Sequence, residues 1–369
     1  MVLNCRGSWV TTTLEQSSQS RENNFNFIRF VLASLVVLAH SFALPGFGRY
    51  EPIYLLSHHQ IDGGALAVDI FFIISGFLVM SSWQHSKSTV DYFRKRILRI
   101  HPGFIANVLI CALVIGPIGT VNTTDYFHAL HPLRFVYNTI QLKLELPLTF
   151  GNLKYNSVNG SLWTIRNEFL CYVMIAMFGI LKLYKLRALF PLMLLSMLSL
   201  LSVQNYHSGP LFHVRILPIV GELEMWPHYL AEYLSGVCFY LYRDRIPFSR
   251  NWAAYSGIVI ATCCLFGRGL QVMIPLAGAY LVFYCSFSKA LKMQRFGTKQ
   301  DLSYGIYLYA FPIQQMCLYW INPVLNPAWL FLIAYPFTLL MALGSWRLVE
   351  QPFILLKSRQ NKLAPAIQV

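Results

Sequence analysis

Ten apolar runs of about 16–21 residues recur along the chain, each long enough to cross a bilayer as a helix. In hydrocarbon every backbone N–H and C=O must be satisfied within the protein, so such runs fold as helices. They cover 25–43, 66–83, 102–120, 162–181, 187–203, 226–243, 252–267, 270–288, 302–321 and 328–346. The pattern predicts an all-α, polytopic membrane protein with about ten transmembrane helices. The third run opens at Pro102, a favourable residue for a first helical turn. The stretch 133–150 mixes apolar residues with Arg134, Lys143 and Glu145 and is expected to lie at the interface.

Charge tests that reading. Only 12% of residues are charged and 56% are hydrophobic, against about a quarter charged in soluble domains. The net charge of +14 is unevenly placed. Twenty-one Lys and Arg fall in the tails and loops of one side, six on the other, and Arg29 and Arg166 lie inside or at the edge of spans. A positive-inside bias of this size puts both termini in the cytoplasm. It also makes the basic excess a matter of topology, so no nucleic-acid partner is expected.

The eight cysteines show no metal-ligand spacing, and seven lie in apolar segments as small hydrophobes. Residues 1–24 are polar and lack the apolar core of a secretory signal. They are expected to be a mobile cytoplasmic tail, followed by a transmembrane domain over 25–346 and a second cytoplasmic tail over 347–369. The longest outer loop, 121–160, has no clear period, and loops of that length more often carry function than not.

Ionisable residues inside spans are the candidates for chemistry. Arg29 and His40 share the first span. Eleven residues at 100° each return to within about 20°, so both lie on one face, roughly 16 Å apart along the axis. Topology places Arg29 near the cytoplasmic end and His40 near the outer end. Asp69, Arg166 and Glu168 fall at the same outer level. A histidine there is suited to take a proton from a hydroxyl. A carboxylate on its second ring nitrogen would fix the tautomer, and Asp69 or Glu168 could supply it. At the cytoplasmic level, Arg94, Arg96 and Arg99 stand just ahead of the third span. Headgroup anchoring explains some of that charge. Three guanidinium groups in six residues also suit a phosphate-bearing ligand, each with a bidentate fork that lysine lacks.

These residues and their neighbours resemble the acyltransferase 3 family of integral membrane O-acyltransferases. Arg29 to His40 resembles its Arg-x10-His. DIFFIISGFL, Asp69 to Leu78, resembles its second-helix signature, with Ser75-Gly76 permitting close helix approach. Arg96 and Arg99 match its Arg-x-x-Arg. NGSLWTIRNEFLCY, Asn159 to Tyr172, resembles its Ser-Leu-Trp-Thr segment with the following acid, Glu168. SYGIYLYAFPIQ, Ser303 to Gln314, and VEQPF, Val349 to Phe353, resemble its closing motifs. Any one of these is weak; six in order, over nearly the whole chain, are specific.

The resemblance implies a bacterial inner-membrane enzyme. It would move an acyl group, most often acetyl, from cytoplasmic acetyl-CoA or another acyl-CoA to a carbohydrate hydroxyl. Exopolysaccharide, O-antigen sugar or a lipid-linked precursor would serve as acceptor, with membrane lipid and polysaccharide assembly proteins as further partners. No metal is expected. His40 would be the general base, supported by Asp69 or Glu168. Arg29, Arg94, Arg96 and Arg99 would bind the donor. Trp163, Arg166, Tyr304 and Tyr307 would contact the acceptor or the developing oxyanion. A covalent route would need an acyl-histidine or a nucleophile such as Ser75. Two features depart from the family: Ala310 stands where many members carry histidine, and Arg166 where many carry an uncharged residue. The extracytoplasmic hydrolase-like domain of some members is not expected here. A glycolipid flippase or a structural subunit of a polysaccharide export complex would also suit ten helices with buried charge, although no paired broken-helix repeat is seen.

Overall fold

The computed structural model describes residues 2–3, 9–10, 12–19, 22–206 and 223–356. Each of the ten expected segments is helical. We number them α1 Phe25–Ala43, α2 Gly63–Gln84, α3 Thr89–Ile110, α4 Trp163–Ile180, α5 Leu189–Tyr206, α6 Trp226–Leu241, α7 Arg250–Phe266, α8 Leu270–Phe287, α9 Ser303–Trp320 and α10 Pro327–Ser345. Among the described residues, six helices are long and apolar enough to cross a membrane: α1, α2, α3 with its extension to Ile118, α5, α8, and α10 with its extension to Leu356. The protein is a multi-pass membrane protein. The described β-structure is limited to a two-residue pair, Val2–Leu3 with Trp9–Val10, and an isolated bridge from Thr13 to Pro247.

The third helix starts at Thr89, thirteen residues before Pro102, which is an interior residue. Ser88 caps it: its Oγ accepts from the Asp91 backbone N–H at 3.1 Å. Asp91 in turn accepts from Lys87 N at 3.1 Å and pairs with Lys95. This Ser-x-x-Asp start is a capping signal that apolarity alone overlooks. Arg94, Arg96 and Arg99 therefore sit on the helix and not ahead of it. At the other end of the chain, α10 runs on through a π-turn, Trp346–Glu350, to Leu356. Residues 357–369 lie outside the described residues. Part of the stretch expected to be a mobile N-terminal tail is tied down. Helix Leu14–Ser18 begins with a Thr13 capping box, and Leu14 N donates to Ile246 O at 2.9 Å. Residues 1, 4–8, 11, 20 and 21 lie outside the described residues.

The chain forms two compact units, whose boundaries fall inside α1 after Leu35 and inside α4 after Arg166. The first unit comprises residues up to Leu35, Arg49–His85 and Asn167–Thr298. Its centre is the crossing of α2 and α6. A Cβ on Gly76 would strike the carbonyl oxygen of Tyr233, and one on Gly236 would strike that of Ile73. Two reciprocal glycines thus bring the backbones into contact, which suits helices that gain no hydrophobic drive from lipid. Phe25, Phe77, Phe283 and Phe287 pack edge and face beside that crossing. Asn24 joins α1 to the end of α8, with Nδ2 donating to Cys285 O and Ser288 O at 2.8 Å each.

The second unit comprises Val36–Gly48, Ser86–Arg166 and residues from Lys299 onward. Its hub follows from one proline. Pro312 inside α9 has no N–H, so the carbonyl of Leu308, one turn earlier, loses its helical partner. Two buried asparagines replace it: Asn107 Nδ2 and Asn159 Nδ2 each donate to Leu308 O at 2.9 Å. Asn159 Oδ1 accepts from Ser161 N and Oγ. The segment 141–162, irregular in sequence, is held on α9 in this way. Gln315 Nε2 adds bonds to Tyr155 O and Ser157 O. Asn159→Ala is expected to destabilise the protein by about 2–3 kcal/mol, since it strips partners from several buried groups at once. Thermal melting in detergent measures this, and a shift of under a degree would refute the hub.

Candidate active site

His40 lies in the last turn of α1, half-buried, with its ring edge-on to Phe311 at 5.4 Å between centroids. Phe311 is on α9, and its ring also fills the space beside Gly160. Three residues on, Gln314 Nε2 donates to Val37 O and to Ser41 Oγ, both at 2.8 Å. Phe311 and Gln314 therefore clamp the turn of α1 that carries His40, while Lys154 Nζ reaches Ala43 O at 3.5 Å beyond it. Phe150, Leu153 and Val158 of the loop 121–160 pack with Leu44 and Phe311 at this end of the unit. Ala310 is buried beside Phe311, so a histidine substituted there would overpack the core.

Tyr304 and Tyr307, one turn apart on α9, donate their hydroxyl protons to main-chain carbonyls. Tyr304 bonds Ile100 O at 2.8 Å, and Tyr307 bonds Ser161 O at 2.7 Å and meets Thr164 Oγ1. Their hydroxyls hold α3 and the 161–164 turn to α9, a structural use. Trp163, the first residue of α4, is half-exposed.

On α3, Arg96 and Arg99 share a face, about 60° apart at 100° per residue, whereas Arg94 lies at least about 140° from either. The helix thus brings together two of the three expected donor arginines that it carries. Arg99 Nη2 pairs with Asp301, whose other oxygen accepts from Ser303 N at 3.2 Å and Ser303 Oγ at 2.6 Å. One guanidinium is therefore tied to the start of α9. Arg29 belongs to the same helix as His40 but to the first unit.

The two carboxylates expected near His40 both have partners in the first unit. Glu168 Oε1 accepts from Ser75 Oγ at 2.7 Å and from Tyr172 OH at 2.5 Å. Asp69 Oδ1 lies 2.7 Å from Nε2 of His228. Asp69 thus has the imidazole of His228 as a partner within the first unit. Sequence reasoning missed His228 and its neighbour Glu232. The signal was present: two ionisable groups four residues apart in a predicted span, the same argument that singled out Arg29 and His40. Arg166 has Glu145 as an electrostatic neighbour, and its charge reaches Lys143. Burial and then that charge hold the Lys143 ammonium below its ordinary range, with Glu145 opposing.

Comparison with known proteins identifies the family of the chain. The chain is 26% identical over 357 residues to a protein of Shigella phage Sf6 named "O-acetyl transferase", covering 90% of this chain and 96% of the relative. It is 24% identical over 364 residues to "Nodulation protein 10" of Rhizobium leguminosarum bv. viciae, covering 93% and 96%. No solved structure matches. The family model described as "Acyltransferase domain" matches residues 22–347, which take in all ten helices and every motif from Arg29 to Gln314, and the chain belongs to that family of acyltransferases.

Proposed function

We propose that the protein transfers an acetyl group from cytoplasmic acetyl-CoA to a hydroxyl of a carbohydrate, either surface polysaccharide or its lipid-linked precursor, in the bacterial inner membrane. The observation that carries this is the near full-length likeness to a protein named as an O-acetyl transferase. It is joined to an intramembrane histidine clamped by Phe311 and Gln314.

In this reading His40 removes the proton of the acceptor hydroxyl as its oxygen attacks the thioester carbon. The new C–O ester bond forms, the C–S bond breaks, and the proton passes from His40 to the leaving thiolate. Arg96 and Arg99 share the face that meets the donor's phosphates, with Arg29 along its polar arm. Arg94 points elsewhere on α3 and contributes long-range attraction. Asp69 is committed to His228, which leaves Glu168 as the acid we assign to the reaction, on the strength of the family motif. Ser75, held by Glu168, orients that carboxylate; direct transfer needs no serine intermediate.

Purified protein incubated with radiolabelled acetyl-CoA should release free coenzyme A and label a carbohydrate acceptor. Mass spectrometry of surface glycans from a strain lacking the protein should show one O-acetyl group missing. A flippase or an export scaffold would consume no acetyl-CoA, so absence of turnover with every glycan offered sinks the reading.

The donor face carries a separable prediction. Arg96→Ala with Arg99→Ala should raise the dissociation constant for acetyl-CoA by about 10²- to 10⁴-fold, as expected for losing two charge-assisted phosphate contacts of roughly 1.5–3 kcal/mol each. Asp301→Asn breaks the same ion pair without removing a cation. Calorimetry showing equal loss in Asp301→Asn and Arg99→Ala would reduce Arg99 to a tether for α9.

A further inference from the structure

One cluster in the first unit is chemically unfinished. Asp69 on α2 faces His228 and Glu232 on α6, which are four residues apart and so project from one face of the helix. Their ligating atoms, one from each residue, all lie within 4.8 Å of one another. Glu232 is completely buried, and among the described residues neither of its carboxylate oxygens has a hydrogen-bond partner. Asp69 is 1% exposed, and its Oδ2 also lacks a partner among them. Three buried carboxylate oxygens are therefore unsatisfied around a single imidazole. Native interiors rarely leave even one such group without a reason. Two carboxylates this close in a dry site need a cation to offset their charge.

The frame around them is rigid. The reciprocal Gly76 and Gly236 contact fixes the α2–α6 crossing two turns from Asp69. Phe72 stacks on Tyr229 at 5.0 Å, one residue from His228. Preorganised donors on two locked helices are what a metal site requires. One imidazole nitrogen with two carboxylates is a donor set for zinc and its first-row neighbours, whereas magnesium and calcium prefer oxygen alone.

We propose that Asp69, His228 and Glu232 bind one divalent transition-metal ion of the zinc class, which joins α2 to α6. On binding, the Asp69–His228 hydrogen bond gives way to two metal–ligand bonds, the proton between them is released to solvent, and a Glu232 oxygen supplies the third ligand. The site stands on its own residues and does not depend on the acyl-transfer reading.

The test uses full-length, untagged protein in detergent, stripped with a chelator and titrated with Zn²⁺ or Co²⁺ alone. About one ion per chain should bind, the melting temperature should rise by several degrees, and Co²⁺ should acquire the visible absorption of a low-symmetry N/O site. Glu232→Gln and His228→Asn should each lose the stoichiometric ion and the thermal response. Glu232→Gln removes an unpartnered carboxylate with little change in shape, so it should still fold; if it does not, His228→Asn carries the comparison. Absence of stoichiometric binding to the wild type, or an unchanged ion content in both variants, overturns the proposal. So does a Glu232→Gln protein that melts higher than wild type while Zn²⁺ affects neither, since the two carboxylates would then be sharing a proton.

Discussion

His40→Ala is expected to lower acetyl transfer by about 100- to 10,000-fold, the usual worth of a positioned general base. The protein should still insert and fold. His40 is half-buried, and its turn of α1 is also held by other residues: Gln314 to Val37 and Ser41, and the Ser41 Oγ bond to Val37 O at 2.9 Å. Loss of the ring leaves Phe311 without its edge-on neighbour, a contact worth about 0.5–1.5 kcal/mol. Activity and stability should therefore separate, with transfer reduced by that factor and the melting temperature within a few degrees of wild type. The measurement is acetyl-CoA turnover beside thermal melting on one preparation. Retained O-acetylation would remove His40 from the chemistry.

The largest stability effect is expected at the α2–α6 crossing. Gly76→Ala and Gly236→Ala each drive a methyl group into a backbone carbonyl of the facing helix, that of Tyr233 and of Ile73. A side chain struck by a new methyl can rotate away, but a carbonyl inside a helix moves only with the helix. Each substitution should cost about 3 kcal/mol or more, at or beyond the top of the range for overpacking. Gly257 on α7 is the control, because a Cβ there has nothing within 4 Å. Gly257→Ala should be neutral or stabilising by about 0.5–1 kcal/mol, the helical preference of alanine over glycine. Melting curves of the three variants decide the matter: equal tolerance at all three positions would mean that the helices are not in backbone contact. The same variants bear on the metal site, since a displaced α6 would carry His228 and Glu232 away from Asp69.

Much of this was legible in the residues. Apolar length located every long helix, because only a helix satisfies its own backbone in lipid. Ser75-Gly76 pointed to a close crossing, and Gly76 makes one. The start of α3 was misplaced because apolarity was weighed above the Ser88–Asp91 cap, and a basic, amphipathic stretch is as helical as an apolar one. The loop 121–160 looked aperiodic because its two helices, Thr123–Ala129 and Pro132–Ile140, are too short to show a period, and the rest is ordered by Asn159, Gln315 and Tyr307 reaching across the chain.

The chain by itself determined class, helix positions and the presence of costly groups in the membrane, since those follow from local hydropathy and from motifs read in order. Partnership was decided only by tertiary structure. Asp69, Glu168, His40 and His228 are all polar residues at similar depths in sequence, and one-dimensional spacing cannot say which imidazole meets which carboxylate. Within the first unit, helix rotation and crossing distance decide it: the backbone contact at Gly76 and Gly236 brings α6 against α2, where Asp69 meets His228, and Glu168 meets Ser75 and Tyr172.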